Sequence, residues 1–144
     1  MREEIAVCRS RVIRVYEFGD PVTRRGGDTG EECARVYGER WKPVSEALQN
    51  FDAAVLEAEA LWGEQVRGAS DKMHACLSAL AASMDAVVEN ARSGGEDFKS
   101  DPDFGRKMRR NVHASRDDGD ELSLELQAGI AAIEGILRPH LRRA

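Results

Sequence analysis

The sequence predicts an all-α protein: an up-down helical bundle with a long proline-kinked helix, a helical hairpin and one short extra helix. Three observations carry that expectation. Apolar residues recur at alternating steps of three and four over most of the chain, the spacing of one helix face. Strong helix formers dominate, whereas the chain holds only two Tyr and four Phe. The one run rich in strand formers, Arg11 to Phe18, finds no second strand with which to pair.

A chain of 144 residues is the size of one domain and can bury roughly 70% of its unfolded surface. A core is therefore available without metal or disulfide, and residues 1–144 read as a single helical-bundle domain. It divides into an N-terminal helix over 2–18, a flexible connector over 19–28 and the bundle over 29–141. The N-terminal helix rests on the spacing of Ile5, Cys8, Val12 and Val15. Gly19, Asp20 and Pro21 end it, and Arg24, Arg25, Gly26 and Gly27 form the connector.

The strongest periodic signal runs through Ala34, Tyr37, Trp41, Val44, Leu48, Phe51, Val55, Ala58 and Trp62. Thr29, with Glu32 three residues on, opens that helix as a capping box. Pro43 lies inside the seam, where its ring clashes with the preceding turn and one amide donor is lost. The register continues across it, which favours a kink over a full break. A second seam follows through Val66, Ala69, Met73, Leu77, Leu80, Met84, Val87 and Ala91, closed by Gly94 and Gly95. One straight helix over both seams would be about 95 Å long at 1.5 Å per residue. That length is incompatible with a compact monomer and places a corner at Gly63 or Gly68.

Residues 94–101 read as a polar loop anchored by Phe98. Asp101 then caps a short helix with Pro102 at its first position. Phe104, Met108 and Val112 share one face of it, and Arg106, Lys107, Arg109 and Arg110 gather toward its end. Asp118 and Glu121 form a second capping-box pattern ahead of a final helix with Leu122, Leu126, Ile130, Ile133 and Leu137 on one face. That helix is expected to end near Pro139, leaving His140 in a frayed tail.

Few residue clusters rise above their structural explanation. Net charge is −5, which disfavours a coating role on nucleic acid or anionic membrane. Residues 28–66 hold nine acids against Arg35, Arg40 and Lys42. The basic group from Arg106 to Arg116 is flanked by acids and has no interleaved aromatics for base stacking. It reads as a solvated helix end or a clamp on the acidic helix. Cys8, Cys33 and Cys76 are odd in number and widely spaced, the pattern of buried thiols in a reducing compartment. Asp71 and His74 offer half of a carboxylate–histidine pair with no second half, so no metal or cofactor is expected. No nucleophile elbow or phosphate loop is present, and no apolar run approaches the roughly 20 residues that cross a bilayer. A cytoplasmic location is the default if Met1 is the natural start.

These features point to a non-enzymatic interaction or scaffold module that pairs as a homodimer, or with another protein, through helix faces. Tyr37, Trp41 and Trp62 are its candidate interface, since large aromatics that a small core cannot cover make good anchors. A small-molecule- or metal-binding regulatory bundle is the alternative reading, and a nucleic-acid regulator the third.

Overall fold

A computed structural model describes residues 1–9, 29–115 and 119–141. Among the described residues six helices form and no strand: α1 (Arg2–Cys8), α2 (Thr29–Trp62), α3 (Gln65–Arg92), α4 (Glu96–Ser100), α5 (Pro102–Val112) and α6 (Glu121–Leu141). The all-α expectation is met. The remainder of the expected 2–18 helix, the connector over 19–28 and the Thr29 capping contact lie outside the described residues.

Helix α2 runs unbroken through Pro43, whose exposed position places the ring toward solvent. The corner falls at Gly63, with φ +89°, a value that side-chain-bearing residues rarely adopt. Gly68 lies within α3. α2 and α3 thus form an antiparallel hairpin, pinned near its open end by Arg92 bonding to Glu31. Gly30 is required there, because a Cβ on it would meet the Arg92 backbone at 2.9 Å.

α3 is the central helix, packed against α2, α4, α5 and α6. Val66, Ala69, Met73, Leu77, Leu80 and Met84 are buried, as their spacing predicts. Its last turn departs from that seam: Val88 and Asn90 are buried in place of Val87 and Ala91. The cause is local. Asn90 turns inward so that its side-chain oxygen accepts the amide of Phe98 at 2.9 Å.

Residues 94–101, expected as a loop, contain the short helix α4, entered through two left-handed glycines, Gly94 and Gly95. Phe98 is buried and meets Phe104 edge-on at 5.9 Å between ring centres. Gly105 packs so tightly against Phe98 that a Cβ there would lie 2.8 Å from it. Asp101 caps α5 as expected, accepting the Phe104 amide at 3.0 Å. At α6 the cap is Asp120, which accepts the Ser123 amide at 3.2 Å, whereas Asp118 lies outside the described residues.

Helix direction follows from paired contacts. Cys76 meets Glu125 and Trp62 meets His140, so α6 runs antiparallel to α3. Arg2 meets Glu134 and Arg9 meets Ser123, so α1 runs antiparallel to α6. The core between these four helices is Ile5, Cys8, Val44, Met73, Leu77, Leu80, Leu122 and Leu126, with Val112 of α5 closing one end.

Candidate functional site

Two features stand out once the helices are in place: a buried polar junction that fixes α1, and an apolar strip that α1 does not cover and that is exposed among the described residues.

The junction is centred on Arg9, only 2% exposed, directly after the last residue of α1. Its guanidinium donates to the carbonyls of Asn111 at 2.7 Å and Arg110 at 3.1 Å, the last turn of α5. A cation there also meets the negative end of the helix dipole. It donates further to Ser123 Oγ at 2.6 Å and to Asp120 at 2.6 Å, at the start of α6. Asp120 is equally buried and accepts from the Ser115 amide and the Ser123 hydroxyl. Burial pushes its carboxyl up, but the bonds from Arg9, Ser123 and the Ser115 backbone outweigh this and hold it at about 2. The Arg9 carbonyl completes the tie by accepting the Ala114 amide at 3.0 Å. One residue therefore joins α1 to the α5–α6 corner.

Sequence reasoning missed both partners. A signal did exist, since Arg9 lies four residues after Ile5 and beside Cys8, on the apolar face. Arg40 is likewise buried, donating to the Cys8 carbonyl at 3.4 Å.

The strip lies where α1 stops. Over its seven residues α1 packs along α2, from the level of Arg40 to that of Phe51, and reaches α6 through the Arg2–Glu134 bond. Beside it a cavity of about 380 Å³ is lined by Ile5, Ala6, Leu126, Ile130 and Ala131, with Arg9 and Ser123 toward one end. At its N-terminal end a second cavity, about 400 Å³, is walled by Met1, Ile5, Phe51, Ile130 and Ile133 over a Met73 floor. Beyond Phe51, helical spacing carries the apolar line on through Ala54, Ala58 and Leu61 of α2. On α6 it continues through Ile133, Leu137 and Leu141. Leu61 is 72% exposed and Leu141 67%.

The three candidate interface aromatics divide between these regions. Tyr37 and Trp41 are half-buried and pack against the core beside α1. Burial lifts the Tyr37 hydroxyl to about 12. Trp62 lies at the opposite tip, its indole stacked on His140 at 5.1 Å. His140 therefore belongs to an ordered helix, because α6 continues through Pro139 to Leu141.

The remaining candidates have structural partners. His74 bonds Asp52 across the hairpin at 2.7 Å. Arg106 pairs with Asp103, and the Arg109 guanidinium sits 4.9 Å over the Phe98 ring. α5 packs on α3 and α4, and Arg106, Lys107, Arg109 and Arg110 toward its end are exposed. Burial raises all three thiols, Cys8 to about 11. No helix among the described residues is long and apolar enough to cross a membrane, and none of their acids, His and Cys form a metal-holding group. Compared with known protein families, curated proteins and solved structures, the chain matches none.

Proposed function

We propose that this protein is a non-enzymatic interaction module whose α2–α6 tip binds another protein chain. The observation that supports this reading is the uncovered apolar strip. Isolated exposed leucines are ordinary on protein surfaces. Here, however, Leu61 and Leu141 lie at helical spacing from Phe51 and Ile133, which line a 400 Å³ cavity. The interacting end is then the Leu61 and Leu141 tip beside the Trp62–His140 stack, whereas Tyr37 and Trp41 pack against the core at the other end. A second copy of the chain and an unrelated protein both satisfy this reading.

Small-molecule binding draws some support from the groove beside α1, since 380 Å³ falls within the usual range for ligand pockets. Its walls are largely apolar, and the Arg9 guanidinium at its end is already bonded to Asp120, Ser123 and two carbonyls. Few groups remain there to select a ligand.

Site-specific photocrosslinking in the native host tests the interaction reading. A benzoylphenylalanine at position 61 should give protein adducts of discrete mass. The same group in place of Leu124, an exposed leucine 52% accessible, should give none. No adduct from either position 61 or 141 would refute the proposal.

A further inference from the structure

The face of α5 that looks toward the start of α6 is polar and unpacked. α5 lies on α3 and α4, and a cleft of about 340 Å³ opens between it and the first turn of α6. Asp103, Arg106, Lys107, Arg110 and Asn111 line the α5 side, at the spacing of a single helix face. Gly119 and Glu121 supply the α6 side. The volume falls at the lower end of the range for small-ligand sites, so the basic end of α5 forms a concave wall as well as a solvated surface.

Charge within the cleft is unbalanced. Every described lysine and arginine except Lys72, Lys107, Arg110 and Arg138 has an acid, a carbonyl or an aromatic ring as partner. Lys72 and Arg138 stand apart on α3 and α6, whereas Lys107 and Arg110 share this cleft. Arg106 beside them is neutralised by Asp103. Lys107 and Arg110 are three residues apart, with Cβ atoms about 5–6 Å from each other on the helix surface, where like charges repel. Glu121 lines the cleft too, yet among the described residues it forms no ion pair with either cation. One tetrahedral anion between Lys107 and Arg110 would touch both and turn their repulsion into attraction.

The remaining polar groups accept. Asn111 donates its amide to Ser83 Oγ at 2.9 Å, which leaves its side-chain oxygen, and Glu121 offers a carboxylate. Guanidinium and ammonium groups bind phosphate, and such acceptors bond hydroxyl donors.

We propose that this cleft binds a soluble phosphate monoester with hydroxyl groups beside the phosphate, such as a polyol or sugar phosphate. Lys107 and Arg110 hold the phosphate, and Glu121 and Asn111 accept from the hydroxyls. A nucleic-acid strand fits less well, because Asp103 and Glu121 line the same cleft and repel its neighbouring phosphates. The cleft is at the start of α6 and the apolar tip at its end, so this site is independent of the interaction reading.

Two-dimensional NMR of the full chain at low ionic strength, titrated with glycerol phosphate, tests the assignment. Amide shifts over Arg106–Asn111 and Gly119–Glu121 should saturate with a dissociation constant of about 1 mM or below, and inorganic phosphate should bind more weakly. Lys107→Gln/Arg110→Gln should weaken binding at least tenfold. Both side chains are exposed and the Arg110 carbonyl that accepts from Arg9 is retained, so the melting temperature should hold. Lys72→Gln/Arg138→Gln removes the same charge elsewhere and should leave the affinity unaltered. Glu121→Ala should narrow the preference for glycerol phosphate over inorganic phosphate. No saturation by about 10 mM, tighter binding of inorganic phosphate, or an equal loss in the Lys72→Gln/Arg138→Gln variant overturns the proposal. Binding of an oligonucleotide, or of vesicles containing phosphatidic acid, that exceeds glycerol phosphate and is lost in Lys107→Gln/Arg110→Gln overturns it in favour of that source.

Discussion

A guanidinium removed from water must be neutralised and have its N–H groups bonded, or it destabilises the fold by several kcal/mol. Arg9 meets both demands through Asp120, Ser123 and two α5 carbonyls. The Asp120 carboxyl is held at about 2 against an ordinary 3.8, so its contribution is complete above about pH 4 and disappears as pH falls toward 2. Asp120→Asn is therefore expected to cost on the order of 2 kcal/mol at neutral pH. Urea titrations of the two proteins at several pH values should converge as pH drops through 2. A constant gap down to pH 2 would show that the carboxylate charge is not what stabilises the junction. Arg9's place on the apolar face was legible but its pairing was not, because a lone Arg there carries no mark of the partner that will neutralise it. Asp120 reads only as helix-start chemistry, and its partner lies 111 residues away in sequence.

At the scale of helices, the seams of α2 and α3 were legible because each repeats over many turns, and the corner was narrowed to Gly63 or Gly68, of which Gly63 has the positive φ. The short helix α4 was not. Five polar-rich residues contain no full period, and α4 exists because Asn90 and Gly105 together bury Phe98. Pro43 shows how far burial overrides propensity. An exposed proline removes one amide donor from α2 without breaking the helix, and the adjacent Val44 is completely buried in the core. Pro43→Ala should restore one backbone bond and stabilise the protein by about 1 kcal/mol. This is below the roughly 3 kcal/mol propensity difference, since the packed helix is already bedded around the proline. Thermal melts by circular dichroism read the change, and a fall in melting temperature would mean the proline geometry is itself needed.

The whole molecule is organised around α3, with α2, α5 and α6 packed on it and α1 attached at the edge. Stability should be graded accordingly, since local opening costs least where few apolar groups are buried. In hydrogen exchange followed by mass spectrometry, peptides from Gln65–Arg92 should outlast those from Arg2–Cys8 by at least about tenfold. Equal protection would mean α1 and α3 open only together. The candidate interface was only partly legible at this scale. Aromatic spacing named Tyr37, Trp41 and Trp62 alike, but which of them the fold would cover depended on where α1 comes to lie, and seven residues set that. The Arg9 junction also bears on how the protein is made. Arg9 is synthesised early, yet its Ser123 partner lies 114 residues further along the chain. At about 5–20 residues per second, the ribosome needs about 6–23 seconds to bridge that interval. During that time the first helix has α2 to pack against, but Arg9 still lacks the α5 and α6 groups that will neutralise and bond its guanidinium.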